Sequence, residues 1–279
     1  MPAWPTAVRS GRAWNSSVAV RQGRLVACLL SLVLLATSFM PDARAEEAVD
    51  LELVLAVDAS GSVDQNELRL QLGGIAAGFR DPEVLKAITD GPLGRIAVSL
   101  LLWAQPEMRK EMTGWYVIGS RFDAGGFADA VEGFQRRLSG GTGIGAGIAR
   151  AIRSMKENGI EGRRRVVDVS GDGRETPPRE YVVQISQARE MANAHDVTIN
   201  GLAILSDDPG LGKYYEREMI TGPNAFVMTV EGFEDFAGAM RRKLLREIEF
   251  RPAVATRPGD GDRTESDQDS LALSLSEIR

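Results

Sequence analysis

Short apolar runs bounded by glycine, serine or charged residues alternate along this chain with stretches that carry an apolar stripe at helical spacing. Residues 51–57 (LELVLAV), 94–103 (GRIAVSLLLW), 115–118, 165–170 (RVVDVS), 197–205 and 224–230 read as strands. Leu68, Leu72, Ile75 and Phe79 recur every three or four residues and predict a helix. Further helices are expected over 127–138, 145–158, 178–194, 211–220 and 233–248. The last carries Phe233, Phe236, Met240, Leu244 and Ile248 on one face. Strands that alternate with helices need crossover connections, which give a mostly parallel sheet covered on both sides. Run 115–118 lies close enough to 94–103 to pair with it as an antiparallel hairpin edge. The expected fold class is therefore α/β, Rossmann-like and doubly wound, over residues 46–250.

The segment before residue 46 is set apart from that domain. Arg9, Arg12, Arg21 and Arg24 precede the apolar run 25–39, and Ala43-Arg44-Ala45 supplies a small-x-small cleavage pattern. This order predicts a secretory signal peptide over residues 1–45, cut near Ala45. The apolar run is shorter than the roughly 20 residues of a spanning helix, so no transmembrane segment is expected in the mature chain. The protein is expected to be exported, to the periplasm or the cell exterior. Cys28, the one cysteine, falls within the signal, which leaves the mature chain without disulfide or thiol chemistry. Residues 251–279 turn polar and acidic and read as a flexible tail.

Segment 1–45 holds five arginines and one aspartate, so its removal takes the formal net charge from −6 to −10. A surface this acidic repels phosphate backbones, and nucleic acid is not expected as a partner.

In open α/β sheets, ligands bind beyond the carboxyl ends of the strands. The first strand runs into Asp58-Ala59-Ser60-Gly61-Ser62, a D-x-S-x-S pattern. A later loop offers Thr142 between Gly141 and Gly143, and the strand at 165–170 runs into Gly171-Asp172-Gly173. Each signal alone is weak: Ser60 and Ser62 could cap a helix, and Asp172 alone reads at least as well as a turn residue before glycine. Together they form a set of hydroxyl and carboxylate oxygens with no histidine or cysteine. Such a set suits a hard dication, Mg²⁺ first and Mn²⁺ or Ca²⁺ next. Two aspartates balance the ion's charge, and neutral hydroxyls keep it electrophilic enough to take a carboxylate from another molecule.

These residues resemble the metal-ion-dependent adhesion site of von Willebrand factor A-type domains: D-x-S-x-S at Asp58, Ser60 and Ser62, the G-G-T loop at Thr142 and the strand-end D-G at Asp172. The resemblance covers roughly residues 50–250. The stretches VSGDG (169–173), RDPEV (80–84) and GPNAF (222–226) are similar to a bacterial family of exported proteins of unknown function with this fold. The resemblance implies a domain in which a metal mediates protein binding, the hydroxyls touching the ion and one or both aspartates acting through water. The partner expected is a protein with an exposed Asp or Glu.

Other readings fare worse. Gly141–Ala146 (GTGIGA) looks like a dinucleotide fingerprint, but a helix and not a strand precedes it. His195 is the only histidine, near a helix end, and reads as a surface or packing residue. With no G-x-S-x-G elbow and no second histidine, a serine hydrolase is not expected, nor is any other catalytic base evident. The alternative is a metal-dependent hydrolase of phosphate or other esters. Asp168 and Ser170 lie within a strand and are assigned to packing. The run Arg163–Arg165 reads as a solvated lead-in to a strand, or as a contact for an acidic partner.

Overall fold

The structure, a computed structural model, describes residues 47–177 and 181–249. The expected signal peptide and acidic tail lie outside the described residues.

The strands are β1 (Glu47–Val49), β2 (Glu52–Asp58), β3 (Ile96–Trp103), β4 (Glu111–Met112), β5 (Tyr116–Ile118), β6 (Ile160–Gly162), β7 (Arg165–Gly171), β8 (Val197–Ile204) and β9 (Val227–Val230). The helices are α1 (Gln65–Arg80), α2 (Pro82–Thr89), α3 (Arg121–Glu132), α4 (Ile144–Glu157), α5 (Ile185–Ala194), α6 (Leu211–Tyr214) and α7 (Phe236–Glu249). The main sheet has the order β4-β3-β2-β7-β8-β9, with β5 also on β3. β3, β2, β7, β8 and β9 run parallel, and β4 and β5 together form the antiparallel edge. This is the expected doubly wound sheet.

Alternation along the strands fills two cores. Leu53, Leu55 and Val57 of β2 enter one, with Phe79, Phe127, Phe236 and Leu244 from α1, α3 and α7. Val54 and Ala56 enter the other, with Ile148, Ile152 and Ala188 from α4 and α5. Burial on both faces explains why β2 and β3 lack the apolar–polar alternation of a half-exposed sheet.

Boundaries differ from expectation where local capping overrides the apolar pattern. The helix expected over 127–138 is α3, which starts earlier because Ser120 caps it and stops at Gly133; Leu138 is buried but lies outside any helix or strand. The helix expected over 178–194 begins only at Ile185, where Gln184 and Gln187 form a capping box, and Tyr181 has a left-handed φ of 74°. The helix expected over 211–220 passes from α6 into a π turn at Tyr215–Met219, and Tyr215 at its start is fully buried. α2 was not expected. It exists because Asp81 ends α1 and also accepts from the N–H groups of Glu83 and Val84, with Pro82 in the first turn. The small β1–β6 sheet was likewise unforeseen.

Of the arginine run only Arg163 is exposed as a solvated lead-in would be. Arg165 pairs at 3.1 Å with Glu52, which is fully buried, and Arg164 donates to the carbonyls of Glu247 and Ile248 at the end of α7. Asp168 and Ser170 are buried in the sheet, as expected. Asp168 meets the ammonium of Lys243, also fully buried, at 2.6 Å.

Candidate metal centre

The carboxyl ends of β2 and β7 are neighbours, and Asp58 and Asp172 stand there. The first loop leaves β2 and turns at once, because Asp58 Oδ1 accepts the Ser60 N–H at 2.7 Å. Helix α1 is capped by Asp64, whose side chain accepts from Asn66 and Glu67 while Glu67 returns the favour to the Asp64 N–H. Capping therefore does not explain Ser60 and Ser62. Their hydroxyls lie 3.2 Å apart, and Ser62 Oγ donates to Asp172 Oδ1 at 3.0 Å.

The loop carrying Thr142 is pinned to both aspartate loops by backbone. Gly61 N–H donates to Gly140 O at 2.7 Å, and Thr142 exchanges bonds with Thr176 through N–H to Oγ1 (2.8 Å) and O from N–H (2.9 Å). The Thr142 hydroxyl lies against Gly173: a methyl in place of the glycine hydrogen would sit 3.5 Å from Thr142 Oγ1. Asp58, Ser60, Ser62 and Asp172 thus form one connected chain of contacts, and Thr142 flanks it one residue beyond Asp172.

Sequence reasoning missed three supports. Gln71 of α1 is fully buried; its amide donates to Asp58 O at 3.4 Å and its Oε1 accepts from Ser170 at 3.5 Å. A polar residue within an apolar helical stripe was the signal available. Tyr215 directs its hydroxyl to Gly173 O at 3.4 Å. Gly171 lies between this ring and Asp58: a methyl there would be 2.8 Å from Asp58 Oδ2 and 2.9 Å from the Tyr215 hydroxyl. His195, by contrast, ends α5 with Lys156 as its neighbour, away from these loops.

The electrostatics are those of buried like charges. Burial pushes the Asp58 carboxyl up to about 8, against the Ser60 N–H bond and helped by Asp172. Asp172 is raised by burial too, with Asp207 and Glu67 adding repulsion and the Ser62 bond opposing it. Burial also holds the Tyr215 phenol well above its ordinary value. Asp58 Oδ2 is buried with no hydrogen-bond partner, and no Lys or Arg pairs with either aspartate among the described residues. An orphaned carboxylate oxygen costs free energy unless something meets it. A dication fits the residues present: two carboxylates and neighbouring hydroxyls are hard oxygen donors. No cluster of three or more His, Cys, Asp or Glu of metal-binding geometry exists among the described residues. Any ion here would therefore depend on the hydroxyls.

A doubly wound parallel sheet with one antiparallel edge is the fold of von Willebrand factor A-type domains. The chain belongs to the family described as "Protein of unknown function (DUF1194)", whose model matches residues 48–252. No curated protein matches it. Among solved structures it is similar to the pilus adhesin SpaC from Lactobacillus rhamnosus GG, at 14% identity and a TM-score of 0.52 over 72% of this chain and 31% of the adhesin. It is also similar to proximal thread matrix protein 1 from the mussel byssus, at 14% identity and a TM-score of 0.50 over 72% of this chain and 49% of that one. The chain thus spans about a third of the adhesin and half of the matrix protein, and likeness at this identity concerns the fold. No helix among the described residues is long and apolar enough to cross a membrane.

Proposed function

We propose that this is an exported, metal-dependent protein-binding module. Asp58, Ser60, Ser62, Thr142 and Asp172 hold a Mg²⁺-type cation, and the cation captures an Asp or Glu carboxylate of a partner protein. The observation that carries this reading is the buried, partnerless Oδ2 of Asp58 beside a hydroxyl chain that ends on a second raised-pKa carboxylate. A dication relieves the repulsion between the aspartates, and neutral hydroxyls leave it able to attract a further anion. Ser62 is exposed, so the chain of oxygens reaches the protein surface where a partner can approach. The acidic Glu67 and Asp207 nearby disfavour a partner carboxylate in the absence of metal, which makes the ion the switch for binding.

The test is capture of cell-envelope proteins by the purified protein and by Asp58→Ala, each with Mg²⁺ and with chelator. The reading expects one partner retained only by wild type with Mg²⁺ and released by free acidic peptide. A partner retained equally under chelation would contradict it. Mg²⁺-dependent turnover of phosphate esters, lost in Asp172→Ala, would favour the hydrolase alternative instead.

A further inference from the structure

At the opposite end of β7 from Asp172 lies a cavity of about 460 Å³. β7 begins there at Arg165 and ends at Gly171, so its seven residues, at about 3.3 Å each, put roughly 23 Å between the two places. The cavity wall is basic. Arg163, Arg164 and Arg165 come from the lead into β7, and Arg246 from the last turn of α7. Arg165 is engaged by Glu52 and Glu161, and Arg164 by two carbonyls of α7. Arg163 and Arg246 are exposed and form no ion pair among the described residues. Two acids share the lining. Glu247 is buried and shares the Lys243 ammonium, 2.7 Å away, with Asp168, and Asp196 is the one exposed acid beside four arginines.

The Arg246 guanidinium lies 3.7 Å from the centroid of the Phe226 ring. Stacking of this kind fixes the plane of a guanidinium while leaving its N–H edge free to donate in pairs to a carboxylate or phosphate. Val166, Pro223 and Phe226 add apolar surface to the same cavity, and Thr198 a hydroxyl. Its volume is that of a pocket for a small organic molecule rather than for a bare ion.

We infer that this cavity is a second binding site, for an organic oxyanion: a carboxylate or phosphate group on a small apolar body. Arg163 and Arg246 take the acid group, and Val166, Pro223 and the Phe226 edge take the body. The site is independent of the metal centre and does not rest on the function proposed for it.

The test is calorimetric titration of the purified protein with phenyl phosphate, benzoate, inorganic phosphate and neutral benzamide, with Mg²⁺ and with chelator. Saturable binding of phenyl phosphate or benzoate is expected under both conditions, and whichever binds more tightly identifies the acid group. Arg246→Ala and Arg163→Ala should each weaken it at least tenfold. Arg163 is exposed and its bond to the core is a backbone one, N–H to Val49 O at 3.0 Å, so its variant keeps the test valid if loss of Arg246 disturbs Phe226. The inference is overturned if neither acid binds or if binding needs Mg²⁺. It is also overturned if benzamide or inorganic phosphate binds as tightly as the aromatic acids, or if Arg163→Ala binds as wild type does.

Discussion

The Ser62 hydroxyl donates to the Asp172 carboxylate at 3.0 Å, joining two loops 110 residues apart in sequence. Ser62 is exposed while Asp172 is 3% exposed, so the bond is the outermost link in the oxygen chain that begins at Asp58. Ser62→Ala removes a proposed ligand oxygen without opening the core. Its unfolding free energy should stay within about 1 kcal/mol of wild type, while Mg²⁺ affinity falls at least about tenfold. Denaturant titration and calorimetry on the same preparation check both halves.

Gly171 is a tight point beneath the site. A methyl there would press on Asp58 Oδ2 and on the Tyr215 hydroxyl, both on fully buried side chains. Gly171→Ala is expected to destabilise the protein by about 1–3 kcal/mol through overpacking. Gly173→Ala meets only ordinary contact with Thr142 at 3.5 Å and should change stability by less than about 0.5 kcal/mol. Urea midpoints for the pair decide it.

Lys243 holds Asp168 and Glu247 at 2.6 and 2.7 Å, all three buried, and Asn200 adds a bond to Glu247 at 2.9 Å. Lys243→Met strands two carboxylates and should cost about 3–5 kcal/mol. Asp168→Asn should cost less, because one ammonium then serves one carboxylate; burial and the Glu247 charge already push the Asp168 carboxyl up to about 7. Thermal or denaturant unfolding ranks the two variants.

Glu175 accepts from Gly145 N–H at the start of α4 and from Ile185 N–H at the start of α5. Burial nevertheless pushes its carboxyl from 4.5 up to about 7. The folded state therefore keeps this proton to a higher pH than the unfolded chain does. The stability it contributes is fully present below pH 4.5 and is lost as pH rises to about 7, by at most about 1.4 kcal/mol per unit. Glu175→Gln lacks this loss, so relative to wild type it should gain stability between pH 5 and 7.5. Urea midpoints at those two pH values test the sign.

Much of this was legible in the residues. The parallel sheet followed from apolar runs such as that of β2, whose two faces are both buried, and the paired edge strand from its closeness to β3. Asp58, Ser60, Ser62, Thr142 and Asp172 could be singled out because each stands at or close beyond the end of a strand or close before a helix. Helix ends were less legible, since Asp81, Gly133 and Gln184 set them through capping bonds that an apolar stripe does not report. The buried Lys243–Asp168 pair was invisible for another reason. It joins a strand and a helix far apart in sequence, and nothing local marks a lysine that will lose its water. The Arg246–Phe226 stack was hidden in the same way.

Calorimetric titration of the purified protein with Mg²⁺ decides whether these five side chains hold a divalent cation. Wild type should show a single saturable site, Thr142→Ala a site at least about tenfold weaker, and Asp58→Ala none while still folded by circular dichroism. Equal Mg²⁺ affinity in wild type and folded Asp58→Ala would mean that the ion, if any, sits elsewhere.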